Sequence, residues 1–167
     1  MRRIIEVKPR RATKKTKMRP LLPCPLIRGC LAEMREYLWR MITKKLLHVR
    51  YRVNDLEKAV RFYREILGLE EVSRKTSPRG SVLVFLKANE SDTLLELCSY
   101  PSAGSVQVQP DLTHLAFEVD SLATFEKHLR AHGLAFSDGP TPLASGGSFA
   151  FIDAPEGYEI ELIEPAR

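Results

Sequence analysis

The chain is poor in cysteine and has no long apolar run. Its 167 residues hold three cysteines, Cys24, Cys30 and Cys98, an odd and sparse set that gives no disulfide framework. A reducing compartment fits that usage best, and the cytoplasm is the expected location. No stretch approaches the roughly 18 consecutive apolar residues that a membrane span needs. The larger part of the chain also lacks a basic excess. Residues 1–45 carry 14 Lys/Arg against 3 Glu, a net of +11, whereas residues 46–167 carry 12 Lys/Arg against 18 Asp/Glu, a net of −6. The overall charge of +5 and pI near 9.2 therefore report the leader. An acidic main domain excludes nucleic-acid binding as its function.

What is present suffices for one ordinary domain or two small modules sharing a core, since 44% of the residues are hydrophobic. The leader, 1–45, divides in two. Residues 1–20 hold nine basic side chains opposed only by Glu6, a composition expected to be disordered alone. Pro20, Pro23 and Pro25 interrupt a short apolar stretch, and Leu31, Met34, Leu38 and Met41 space an amphipathic helix over 31–45. Three readings compete for this leader: an upstream start codon assigned in place of Met34 or Met41, an Arg-rich targeting segment, or a basic arm that contacts RNA, anionic lipid or a partner.

From residue 46 the chain repeats itself. His48, Val53 and Leu56 recur at one constant offset as His114, Val119 and Leu122. Gly68 and Glu96 recur as Gly133 and Glu161 at an offset shorter by a single position. Leu47, Val49, Tyr51 and Val53 alternate with His48, Arg50 and Arg52, which predicts a strand with one apolar and one polar face. Asn54 then reads as the cap of a helix, with Glu57 three positions on. Leu56, Val60, Tyr63 and Leu67 give that helix its stripe, and Gly68 ends it. Strands are predicted near 69–75, 81–87 and 93–99, making the unit β-α-β-β-β. The second copy predicts a strand over Leu112–Val119, a helix from about Ser121 to Gly133, weak strand signal at 134–137, and strands near 148–153 and 158–164. Pro140, Pro142 and Gly146-Gly147 read as breaks between them.

Side-chain parity carries the argument for a site. Leu47/Val49, Leu95/Leu97, Thr113/Leu115 and Ile160/Leu162 flank His48, Glu96, His114 and Glu161. If the flanking residues pack against the helices, all four ligand-type residues share the opposite, concave face. A single strand histidine or glutamate is ordinarily solvated or hydrogen-bonded, and Glu161 sits beside Glu159 and Glu164, where a charged edge is the default. The joint repeat lifts all four, and a pseudo-two-fold arrangement would gather them into a His/Glu metal site. Imidazole with carboxylate suits Ni, Zn, Co, Mn or Fe.

At these residues the chain resembles glyoxalase I (lactoylglutathione lyase) of the vicinal-oxygen-chelate superfamily. The resemblance rests on Leu46–Val53, Phe62–Leu69, Leu95-Glu96-Leu97, His114-Leu115-Ala116-Phe117 and Asp153–Ile163, and covers about 46–165. It implies an α+β fold of two βαβββ modules, about 46–100 and 112–165, whose curved mixed sheets form a concave metal-binding cup. It implies one divalent ion per site, Ni or Zn foremost, on His48, Glu96, His114 and Glu161. It further implies a homodimer whose sites draw on both chains. The substrate would be the hemithioacetal of glutathione and methylglyoxal, the ion stabilising an enediolate while a carboxylate, Glu161 with Glu96 as partner, moves the proton. Arg52 matches an arginine that holds the glutathione carboxylate.

Two positions depart from that pattern. Tyr100 stands where an asparagine normally contacts glutathione, and Ala144-Ser145-Gly146-Gly147 lacks the lysine that usually precedes the glycines. Another thiol conjugate or an unrelated small substrate therefore stays open. Among related enzymes, a methylmalonyl-CoA-type epimerase is the main alternative, although the short link between Glu96 and His114 favours the glyoxalase form. Ring-cleaving dioxygenases and fosfomycin-modifying transferases usually need one carboxylate in a three-residue set, against which Glu96 argues. A metal-free, bleomycin-resistance-like binding protein is the alternative outside catalysis.

Overall fold

The structure, a computed structural model, describes residues 43–167. The helix expected over 31–45 lies outside the described residues except for its last three, which are not helical.

The first module contains β1 (His48–Arg52), α1 (Leu56–Glu65), β2 (Glu70–Thr76), β3 (Val82–Lys87) and β4 (Leu94–Ser99). After a 3-10 turn at Pro101–Ala103, the second contains β5 (His114–Glu118), α2 (Leu122–Ala131), β6 (Asp138–Pro142), β7 (Ser148–Asp153) and β8 (Glu159–Glu164). The sheets have the same order, β1-β4-β3-β2 and β5-β8-β7-β6. In each, the first strand runs parallel to the last and the other pairs are antiparallel. The internal sequence repeat is thus a repeat of fold, the two-module α+β architecture expected from the sequence.

One apolar core serves both modules. Leu56, Ala59, Val60 and Tyr63 of α1 and Leu122 and Leu129 of α2 are buried with Leu95 and Leu97 of β4 and Ile160 and Leu162 of β8. Tyr51 and Tyr158 stack across the modules with ring centroids 3.9 Å apart, and the Tyr158 hydroxyl donates to the Arg52 carbonyl at 3.1 Å. The helix ends are closed as the glycines predicted. Gly133 adopts φ +71° and lets the Leu134 N–H reach the Leu129 carbonyl at 2.9 Å, satisfying a terminal acceptor.

Two local expectations are corrected. The cap of α1 is Asp55, whose carboxylate accepts from the Lys58 N–H at 2.9 Å. Asn54 is occupied elsewhere: its side-chain amide pairs both backbone groups of Val106, at 2.7 and 3.0 Å, and fastens the intermodule connection to the start of α1. The other correction is β6, which lies at 138–142 and runs through Pro140 and Pro142 instead of stopping before them. It is the outermost strand of its sheet, and its register with β7 shifts between Asp138 and Thr141. Proline removes a ladder donor, so an edge strand with a bulge is where it does least harm.

Candidate metal centre

The ligand-type residues reach their positions by strand register. Arg50 of β1, Glu96 of β4 and Phe85 of β3 form one cross-strand row. Ala116 of β5, Glu161 of β8 and Phe151 of β7 form its counterpart. His48 and His114 lie two positions before Arg50 and Ala116 on the same faces, because side chains alternate along a strand. The flanking Leu95, Leu97, Ile160 and Leu162 point into the shared core. All four ligand-type residues therefore lie on the faces turned away from that core.

Within each module the histidine and glutamate meet. His48 Nε2 lies 3.1 Å from Glu96 Oε2, and His114 Nε2 lies 3.4 Å from Glu161 Oε2. Each imidazole is braced edge-on by an aromatic ring, His48 by Phe85 at 5.8 Å and His114 by Phe151 at 5.7 Å. The two phenylalanines are separated by the same offset as the two histidines, and that shared offset was the signal that could have identified them as part of the site.

The four residues do not form one cluster inside the chain. Among the described residues, no three His, Cys, Asp or Glu side chains come together as a metal-holding group. Within one chain the four residues make two two-donor halves, His48 with Glu96 and His114 with Glu161. By type the donors fit a divalent ion, with one imidazole and one carboxylate converging in each half. By number, two donors do not complete a site.

The halves also differ in environment. Glu96 is only 1% exposed, against 20% for Glu161. Around Glu96 the face is not the open polar surface that strand alternation suggested. Leu83, Phe85 and Cys98 make a second small apolar cluster there, with Leu94 and Tyr100 packed against it. Arg50 provides charge compensation as an ion pair, its Nη2 lying 2.7 Å from Glu96 Oε1 in a geometry that makes no hydrogen bond. Sequence reasoning assigned Arg50 no role. The two glutamates flanking Glu161 are committed to backbone groups: Glu159 accepts from the Asp111 N–H at 3.1 Å, and Glu164 accepts from the Leu122 N–H at 2.8 Å in the first turn of α2.

The two substrate-binding candidates both belong to module 1. Arg52 shares the face of His48 and Arg50, and its guanidinium makes a long contact of 3.4 Å to the Gly104 carbonyl. Tyr100, half-buried, forms part of the apolar lining next to Cys98 and also begins the 3-10 turn. Ser145 is exposed in the β6–β7 connection. Gly147 in that connection has φ +80°, and a Cβ there would stand 2.3 Å from the Glu164 carbonyl oxygen, so only glycine fits.

The family profile described as "Glyoxalase/Bleomycin resistance protein/Dioxygenase superfamily" matches residues 45–162. The chain belongs to this superfamily. A "Probable lactoylglutathione lyase" of Synechocystis sp. is 32% identical over 123 residues, covering 71% of this chain and 94% of that protein. "Lactoylglutathione lyase GLX1" of Arabidopsis thaliana is 28% identical over 125 residues, covering 72% of this chain and 44% of the plant protein. The chain thus spans less than half the length of the plant relatives it matches. Among solved structures of the superfamily fold, the trypanothione-dependent glyoxalase I of Leishmania major superposes with a TM-score of 0.61 at 30% identity, covering 73% of this chain and 87% of that one. TnmS3, an antibiotic-binding protein from Streptomyces sp. CB03234, superposes with a TM-score of 0.62 at 25% identity, covering 75% and 99%. No helix among the described residues is long and apolar enough to cross a membrane.

Proposed function

We propose that the chain is a metal-dependent lyase that converts the glutathione–methylglyoxal hemithioacetal to S-lactoylglutathione. The observation that carries this reading is the pair of matching His–Glu contacts, one on each sheet. Neither is a site alone, and together they are the donor set of one. In this reading two copies of the chain associate. Each site then combines His48 and Glu96 of one copy with His114 and Glu161 of the other.

A divalent ion, Ni or Zn foremost with Co and Mn also suited, would supply there the positive charge that polarises the substrate oxygens. The rest falls to the chain's own residues. Glu161 has Ala116 and no arginine beside it in the register, so its carboxylate is the freer of the two to take a proton from one substrate carbon and return it to the next. Glu96, enclosed and paired, holds its place as a ligand. Arg52 offers a guanidinium to a substrate carboxylate. Phe85 and Phe151 fix the imidazoles and keep water from that side of the site.

Losing one charge-assisted contact to a carboxylate costs about 1.5–3 kcal/mol, roughly ten- to a hundredfold in affinity. Without a lysine at Ser145, turnover should therefore show a high KM that Ser145→Lys lowers. The second reading, a small-molecule binding protein, draws its support from the likeness to the antibiotic-binding TnmS3 over nearly its whole length. Thioester formation with Ni, Co and Zn separates the two. Glu161→Gln should lower turnover by at least about a hundredfold, the scale of a lost general base, with the fold retained. A chain that takes up none of the three ions by calorimetry refutes the lyase.

A further inference from the structure

The two halves of the proposed centre differ at one register position. Beside Glu96 stands Arg50, and at the matching place beside Glu161 stands Ala116. The two oxygens of Glu96 are consequently divided. Oε2 faces His48 Nε2 at 3.1 Å, and Oε1 faces Arg50 Nη2 at 2.7 Å. A carboxylate that is 1% exposed is costly to bury unless a charge is paired with it. An arginine supplies that charge permanently, because its guanidinium does not deprotonate in proteins. In the single chain Arg50 is 54% exposed, so its guanidinium reaches the buried carboxylate from the rim of the face.

We propose that Arg50 is a resident counter-cation of Glu96: it holds Oε1, leaves Oε2 as the single donor oxygen on the histidine side, and lowers the affinity of this half-site for a divalent ion. The proposal rests on the reading of Glu96 as a metal ligand. Two positive centres sharing one carboxylate repel each other, and the carboxylate already paired with arginine has less charge to offer. The same contact lets the chain fold around Glu96 before any ion arrives. The second half, with Ala116 beside a more exposed Glu161, has neither the restraint nor the need for it. The duplication thus yields one held, charge-compensated carboxylate and one unrestrained carboxylate.

The test uses the full chain, freed of metal, with Ni(II) as the probe. Binding isotherms and thermal unfolding of the metal-free protein are compared for the parent, Arg50→Met and Arg50→Lys. Arg50→Met should bind Ni(II) roughly ten- to a hundredfold more tightly, the scale of one charge-assisted contact, yet unfold at a lower temperature without metal. Arg50→Lys, which keeps the charge, should stay within a few-fold of the parent. Adding Glu96→Gln to Arg50→Met should restore the metal-free melting temperature. If Arg50→Met yields no folded protein, Arg50→Gln takes its place, since it stays polar at a half-exposed position and loses the charge. A parent that binds Ni(II) with a charge-removing variant that binds equally or more weakly overturns the role of Arg50 and leaves the metal centre standing. A parent that binds no Ni(II), Co(II) or Zn(II) overturns the metal centre and this role together.

Discussion

Glu96 and Glu161 occupy matching positions in the repeat, yet their removal should cost the fold very different amounts. Glu96→Ala deletes a side chain with 1% exposure, next to Phe85 and the small apolar cluster of Leu83 and Cys98. The deleted atoms resemble a leucine side chain in size, so the cavity costs at most about 2–4 kcal/mol, offset in part by the desolvation that the buried carboxylate no longer incurs. Arg50 adds little to that cost, because it is half-exposed and water can solvate it once its partner is gone. Glu161→Ala removes a 20% exposed carboxylate whose imidazole contact is 3.4 Å long. Weak, solvent-screened contacts of this kind are worth about 0–1 kcal/mol. Urea unfolding of the metal-free variants, followed by circular dichroism with a common slope, gives the two differences directly. Equal costs for the two variants would refute the reasoning, since Glu161 would then be as enclosed in solution as Glu96.

Glu156 predicts a pH effect. Burial pushes its carboxyl above the ordinary value of 4.5, against the pull of the Asn54 and Asp55 backbone donors. The folded state therefore favours the protonated form, so this group's contribution to stability is full below the unfolded pKa and is lost as pH rises through the folded one. Glu156→Gln keeps an acceptor for the Asn54 N–H and cannot ionise. Its melting temperature relative to the parent should be highest near neutral pH and should fall towards the parent's as the pH drops below about 4.5; a relative stability that rises on acidification would contradict the assignment. Asn54 and Asp55 separate by what they hold. Asp55→Ala should destabilise by about 1 kcal/mol through the helix cap. Asn54→Ala should cost a similar amount, about 1–2 kcal/mol for two hydrogen bonds. It should also raise the rate of proteolytic cleavage between residues 104 and 112, which Asp55→Ala should leave unchanged.

The elements with their own periodicity are legible in the amino-acid order alone. Strand alternation around His48, Glu96, His114 and Glu161 gave the correct faces, because a one-residue error would have turned Leu95, Leu97, Ile160 and Leu162 out of the core. The Gly68 and Gly133 stops were legible for the same local reason. What failed depended on partners distant in sequence. Asn54 looks like a cap until Val106, far along the chain, claims its amide. β6 looks like a break until β7 offers it an edge where prolines are tolerated. The burial of Glu96 was invisible because strand alternation reports which face a residue takes, not whether other side chains on that face close over it. Arg50 was hidden with it, since a polar strand face accounts for an arginine without a partner.

The duplication also shows which positions each half can vary. Both modules keep the histidine, the glutamate and the phenylalanine behind the imidazole, and in both the imidazole and carboxylate meet, at 3.1 Å in the first and 3.4 Å in the second. Around those three positions they diverge in charge: Arg50 and Arg52 in β1 correspond to Ala116 and Glu118 in β5. A second charge beside a carboxylate alters how firmly that carboxylate is held without altering where the backbone places it. Register therefore fixes the positions of the ligand-type side chains, and the neighbouring strand fixes how freely each can move or exchange a proton. On that division of labour, a symmetric backbone can carry chemistry that needs two unlike carboxylates. Grafting the charge across, with Ala116→Arg and Arg50 unchanged, should weaken Ni(II) binding further in the same isotherms; unchanged binding would show that a cation beside the glutamate does not set its affinity.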